Sequence, residues 1–221
     1  MLRVLLALFL LTACSGAPPS ASPSLSAKML SPNDIALEWR GEPTTHALEF
    51  ATERDGAYTV LQYAPPGQST FKHPDLMPKT PFYYRLRSIH GPASAPLDVT
   101  LPPGEFDEQA DHSWAPPRTL PGSPSKHPVR SEQAVPTDVR AKVMHANGIL
   151  FTWQDNASDE AGYLIEARAA GASEYRVAAV LDPDVNSFGL ITLPEEKVAS
   201  YRVRAYFYGA QSNVVHLVTG G

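Results

Sequence analysis

The sequence predicts an all-β chain, two tandem two-sheet sandwiches joined by a proline-rich linker, on three observations. First, the chain repeats itself: shifted by 117 places, Glu49, Tyr58, Val60, Phe71, Leu76, Tyr84, Arg85 and Arg87 fall on Glu166, Tyr175, Val177, Phe188, Leu193, Tyr201, Arg202 and Arg204. Upstream the offset is 114, which sets Ala27, Lys28, Asn33 and Trp39 on Ala141, Lys142, Asn147 and Trp153. Internal self-similarity of this kind means two copies of one unit. Second, apolar and polar residues alternate in short runs, the period of a half-buried strand. Third, proline and glycine clusters such as Pro65-Pro66-Gly67 and Gly91-Pro92 separate those runs, and no run carries a helical period.

The elements follow in order. Met1-Leu2-Arg3 is a short positive start, and Val4 to Leu11 is apolar but far too short to cross a bilayer. Residues 1–13 therefore read as a cleaved export signal. The run ends in Leu11-Thr12-Ala13-Cys14, which resembles the lipobox of bacterial lipoproteins. That resemblance implies cleavage before Cys14, the only cysteine, and its conversion to a lipid anchor; the competing reading is an ordinary signal peptide with a chance cysteine. Several acyl chains hold a protein on a membrane, whereas one does so marginally, at about 0.8 kcal/mol per buried methylene. Residues 14–24 lack an apolar residue able to seed a core and read as an extended tether. Ser15 after the cysteine resembles lipoproteins sorted to the outer membrane, so the expected location is a bacterial envelope, lipid-anchored at that membrane.

The first repeat, 25–101, carries strand patterns at 35–39, 47–50, 58–63, 70–73, 82–89 and 97–101. Residues 102–133 hold seven prolines and scattered apolar residues, too long for a loop inside one domain and suited to a linker. The second repeat, 134–221, carries strands at 139–143, 149–153, 163–168, 175–180, 187–193, 199–206 and 214–218. Seven short strands in about 85 residues fit a two-sheet sandwich. Trp39 and Trp153 are the expected centres of the two cores, since a buried indole outweighs any surface pair.

The residues also carry a family resemblance. Trp153, the polar loop Asp155 to Gly162, Tyr163, then Ile165-Glu166-Ala167-Arg168 and Tyr201-Arg202-Val203-Arg204-Ala205 resemble a fibronectin type III domain. The first copy keeps Ile35 to Trp39, Leu76, Pro78, Thr80 and Tyr84 to Arg87. The resemblance implies tandem immunoglobulin-like sandwiches covering about three quarters of the chain. It also places the family's corner tyrosine on Phe82 and Ala199, so both copies are expected to lose its hydroxyl bond, worth about 1 kcal/mol each.

Little in the sequence points to catalysis. A net charge of −5 and a pI near 5.8 argue against a nucleic-acid binder, which needs a basic surface. Histidines at 46, 73, 90, 112, 127, 145 and 216 have no metal-ligand spacing, and no nucleophile elbow or phosphate loop is present. Asp155, Asn156, Ser158, Asp159 and Glu160 look superficially like a calcium loop but lack its central glycine and closing glutamate. No metal or cofactor is expected. Trp114 and Phe106, with Arg118, Lys126 and Arg130 nearby in the linker, are candidate ligand contacts, the alternative being that both rings dock the linker onto a sandwich. The expected function is non-catalytic: a membrane-anchored display or scaffold protein binding an envelope protein or polysaccharide. The alternative is an accessory subunit whose catalysis lies in another chain.

Overall fold

A computed structural model describes residues 22–105, 108–122 and 125–220 of the chain. The export signal, Cys14 and Phe106 lie outside the described residues. Fourteen strands are found among the rest. They are β1 (Ser24–Ser31), β2 (Asp34–Arg40), β3 (Thr45–Ala51), β4 (Thr59–Ala64), β5 (Thr70–His73), β6 (Pro81–His90) and β7 (Leu97–Thr100). The second half gives β8 (Thr137–His145), β9 (Gly148–Gln154), β10 (Gly162–Ala169), β11 (Arg176–Leu181), β12 (Ser187–Ile191), β13 (Val198–Gln211) and β14 (Val215–Val218).

Alternation builds the layers. In β2 Ile35, Leu37 and Trp39 are buried, and in β6 Phe82, Tyr84 and Leu86, each with more exposed residues between. The first sandwich packs sheet β1-β2-β5 on a layer made of β4, β3, β6 and β14. The second packs β8-β9-β12 on β11, β10, β13 and β7. Trp39 and Trp153, each 5% exposed, lie in the two separate cores.

The closing strands are exchanged. β7 follows β6 in sequence but pairs with β13 in the second sandwich, and β14 follows β13 but pairs with β6 in the first. Val215 and Leu217 therefore pack on the first core, while Leu97, Val99 and Leu101 join the second. Residues 81–100 and 198–218 thus form one long antiparallel ribbon through both sandwiches. Its pairs run Pro81↔Val218, Tyr84↔Val215, Arg87↔Gln211, His90↔Phe207, Ala93↔Arg204, Leu97↔Tyr201 and Thr100↔Val198.

The exchange is symmetric down to single bonds. Ser94 N donates to Val203 O (2.8 Å) and Val203 N to Ser94 Oγ (3.1 Å); Ser212 N donates to Leu86 O (2.8 Å) and Leu86 N to Ser212 Oγ (2.9 Å). At mid-ribbon the two strands run so close that glycine is required. A Cβ on Gly91, whose φ is +131°, would stand 2.0 Å from Ala205 O, and one on Gly209 2.5 Å from the His90 ring. Pro92 and Pro96 restrict the stretch between β6 and β7 to extended backbone.

This arrangement corrects the division at 25–101 and 134–221. Each stretch holds most of one sandwich, but its last strand completes the other. The physical reason is that Leu97-x-Val99 and Val215-x-Leu217 present the same alternation, and local pattern does not name a strand's partner. Two further differences follow. Strand β1 was not among the expected strands, and β13 continues past Tyr206 to Gln211, which is the part that meets β6. The expected loss of the corner bond is overturned in the second sandwich alone, where Tyr201 Oη donates to Glu196 O at 2.5 Å, the upstream backbone bond such a corner makes; in the first, Tyr84 Oη meets His73 Nδ1 at 3.0 Å instead.

Joined by β6 and β13, the two layers make one eight-stranded sheet that curls until its end strands β4 and β11 touch. A third cluster fills the curl, with Ala47, Ile89, Leu164 and Tyr206 at its centre and Tyr63, Val177 and Tyr208 around them. That is why β3 and β10 are buried on both faces, with almost no exposed position.

Candidate functional site

Three constellations gather the polar and aromatic groups that a function could use, and each is engaged within the chain.

The first is the linker. Residues 115–120 lie along the edge of β12, where Arg118 N donates to Ser187 O (2.8 Å), Ser187 N to Arg118 O (3.1 Å) and Gly189 N to Ala115 O (2.9 Å). The Asn186 side chain extends the pairing, accepting from Leu120 N at 2.6 Å and donating to Leu120 O at 3.1 Å. A sheet edge that would otherwise offer free backbone groups is covered. Half-buried Trp114 sits in a notch that only glycine leaves open. A Cβ on Gly189 would come within 2.4 Å of the indole and one on Gly148 within 2.7 Å. His145 meets the ring edge to face at 5.5 Å, and Trp114 Nε1 donates to Asp111 O at 2.8 Å. The ring is thus a plug that holds the linker to the second sandwich. Arg130 stacks over Phe207 at 3.9 Å, and Arg118 reaches back to Ser113 O.

The second is acidic. Asp155, Glu160 and Asp184 bring carboxylate oxygens within 4.8 Å of one another, a set that suits a hard cation by donor type. The Lys126 ammonium lies among them instead, 2.6 Å from Asp155 Oδ2 and also bonded to Asp184. Asp155 further accepts from Tyr163 Oη and from Ala157 N (3.0 Å). Burial pulls the Lys126 pKa down, but the two carboxylates outweigh it and the net shift is upward. Burial first, then the Asp155 bond, pushes the Tyr163 phenol well up. Both groups keep their protons at neutral pH, and the cluster clamps the linker. Asp155 and Glu160 are near neighbours along the chain; Asp184 and Lys126 join them only through the fold.

The third is duplicated inside the curl. Glu49, 1% exposed, is bound by Arg85 (2.6 Å) and Arg87, with Arg85 over Tyr58 at 4.0 Å and Arg87 over Tyr208 at 3.5 Å. Glu166, also 1% exposed, is bound by Arg202 (2.5 Å) and Arg204 (3.1 Å), with Arg202 over Tyr175 at 3.9 Å. These are the repeat's most persistent positions, and their role is to satisfy a buried carboxylate twice over.

Among the histidines, His73 meets Tyr84 Oη at 3.0 Å amid Phe50, Phe71 and Phe82. His46 is 2% exposed; burial, with His90 adding to it, holds its pKa below the usual value. Open clefts flank the first sandwich. One of about 560 Å³ is lined by Ser24, Leu25, Glu38, Trp39, Arg40 and Thr70. Another of about 320 Å³ lies on the seam between Pro43, Pro66, Glu174, Tyr175 and Arg202.

No protein-family profile and no curated protein matches the chain. Among solved structures it is similar to the chicken CNTN1 FN1-FN3 domains, at 18% identity and a TM-score of 0.28, over 93% of this chain and 69% of that one. It is also similar to a two fibronectin type-III domain segment from chicken tenascin, at 13% identity and a TM-score of 0.27, over 91% of this chain and 100% of that one. At these values the fold rests on the chain's own strand order: two immunoglobulin-like β-sandwiches that share a ribbon.

Proposed function

We propose that this chain is a non-catalytic binding scaffold of a bacterial cell envelope, anchored by lipid at Cys14, which displays two fibronectin type III-like sandwiches to a protein or polysaccharide partner. The observation that carries this reading is the ribbon: two modules that could swing on a linker are fused into one body with a shared sheet. A fixed pair of sandwiches presents its clefts and edges at constant separation, which favours binding by reducing the ordering required of the protein. The ionisable clusters described above, Glu49, Glu166 and Asp155 with their cations, support a structural use of those groups. The membrane part of the reading rests on the sequence pattern before Cys14; among the described residues no helix is long and apolar enough to cross a membrane.

Metabolic labelling with an alkynyl fatty acid, paired with crosslinking in cells and mass spectrometry, tests both halves. The chain is expected to take up label and to sediment with membranes, and Cys14→Ser to abolish both. One reproducible envelope partner or glycan crosslinked to the sandwiches is expected. A stoichiometric enzyme partner would move the assignment to an accessory subunit, and an unlabelled soluble chain would overturn the anchor.

A further inference from the structure

We infer that a second copy of this chain can complete the ribbon, giving a dimer in which residues 22–100 of each copy close the second sandwich of the other. The two closing slots are built alike. β14 lies on β6 through Val215↔Tyr84 and Leu217↔Phe82, and β7 lies on β13 through Leu97↔Tyr201 and Val99↔Ala199, in the same register. The serine that locks each strand, Ser212 or Ser94, makes the same pair of backbone bonds in each slot. Side-chain contacts then mark each strand for its own slot: His216 stacks on Tyr83 with centroids 4.4 Å apart, and Ser200 bonds Asp98.

Within one chain these strands are already exchanged between modules, so exchange between copies reproduces every ribbon pair and exposes no apolar surface. The joint that must lead elsewhere is the stretch between Leu101, buried in the second core, and Trp114, seated on the second sandwich. Only the covalent connection favours the single chain. A connection of this kind acts as an effective concentration on the order of a millimolar, so the copies compete as protein concentration approaches that range during refolding.

The test uses full-length chains carrying Cys14→Ser, so that no other thiol remains. A single chain with Tyr83→Cys and His216→Cys is expected to close an intrachain disulfide, since these residues are register partners. Chains with Tyr83→Cys alone and chains with His216→Cys alone are then denatured, mixed and refolded over a concentration series. A disulfide-linked heterodimer is expected whose yield rises with concentration and exceeds by about tenfold that of Glu53→Cys mixed with His216→Cys, an exposed pair held in no register. Asp98→Cys mixed with Ser200→Cys repeats the measurement at the other slot, in case one variant folds poorly. Intrachain closure with only control-level heterodimer at both slots overturns the second copy as partner. Failure of intrachain closure at both slots overturns the register on which it stands.

Discussion

Ending the chain after Asn213 removes β14, the last strand in sequence, and the damage is expected in the first sandwich. Val215 and Leu217 are half-buried on the first core, so losing them costs about 1 kcal/mol each, half the value for a fully buried side chain. Thr219, 3% exposed, is tied to Thr80 by three bonds of 2.9, 3.1 and 3.3 Å and to Met77 O by a fourth of 2.5 Å. Gly220 N reaches Pro32 O at 2.9 Å and Gly220 O takes Lys79 N at 3.2 Å. At about 1 kcal/mol per bond, the loss is on the order of 8 kcal/mol even before the β14–β6 ladder is counted. That rivals the whole stability of an ordinary domain, about 5–15 kcal/mol. Hydrogen exchange resolved by peptide is the assay. Protection is expected to fall across residues 24–90, around Trp39, and to persist in β8 to β12 around Trp153. Loss confined to residues 134–211, with 24–90 unchanged, would refute the exchange, because that is what two self-contained modules would show.

Other outcomes follow from single contacts. Glu166→Gln leaves Arg202 and Arg204 without their carboxylate and is expected to cost about 2–3 kcal/mol by denaturant titration, below the range for a fully buried pair because both arginines are partly exposed. Trp114→Ala empties the notch over Gly148 and Gly189, so protease cutting within 108–122 should rise several-fold while the cores stay protected. Burial holds the pKa of His46 and of His73 below the unfolded value of 6.5. Unfolded chains therefore bind more protons than folded ones once the pH drops below about 6.5, so stability is flat above that point and falls beneath it. Denaturation midpoints from pH 7.5 to 5 should show this, with His46→Gln flattening part of the slope; an unchanged slope would assign the pH response elsewhere.

Much of this fold was legible because the repeat exposes which positions persist. Glu49 and Glu166, Arg85 and Arg202, Tyr84 and Tyr201 survive in both copies since each supports a buried pair or a core, and their alternation marks strands directly. What escaped was partnership. A strand such as Leu97-Asp98-Val99-Thr100 carries one apolar face that by alternation alone would suit either β6 or β13, so its pattern does not name its partner. Signals for the ribbon were nonetheless present: Gly91-Pro92 with Pro96, and the run Phe207 to Gln211 beyond the expected end of β13. Asp184, between β11 and β12, and Lys126, in the linker, are far from the acidic loop in sequence and reach it only through the fold.

Isotope-edited NMR of the folded chain reads the exchange most directly, through cross-strand contacts of Phe82 and Tyr84. Contacts to Leu217 and Val215 are expected, with Val99 and Leu97 instead seen beside Ala199 and Tyr201. Contacts from Phe82 and Tyr84 to Val99 and Leu97 would mean that each module closes on its own last strand, and the shared ribbon would not exist.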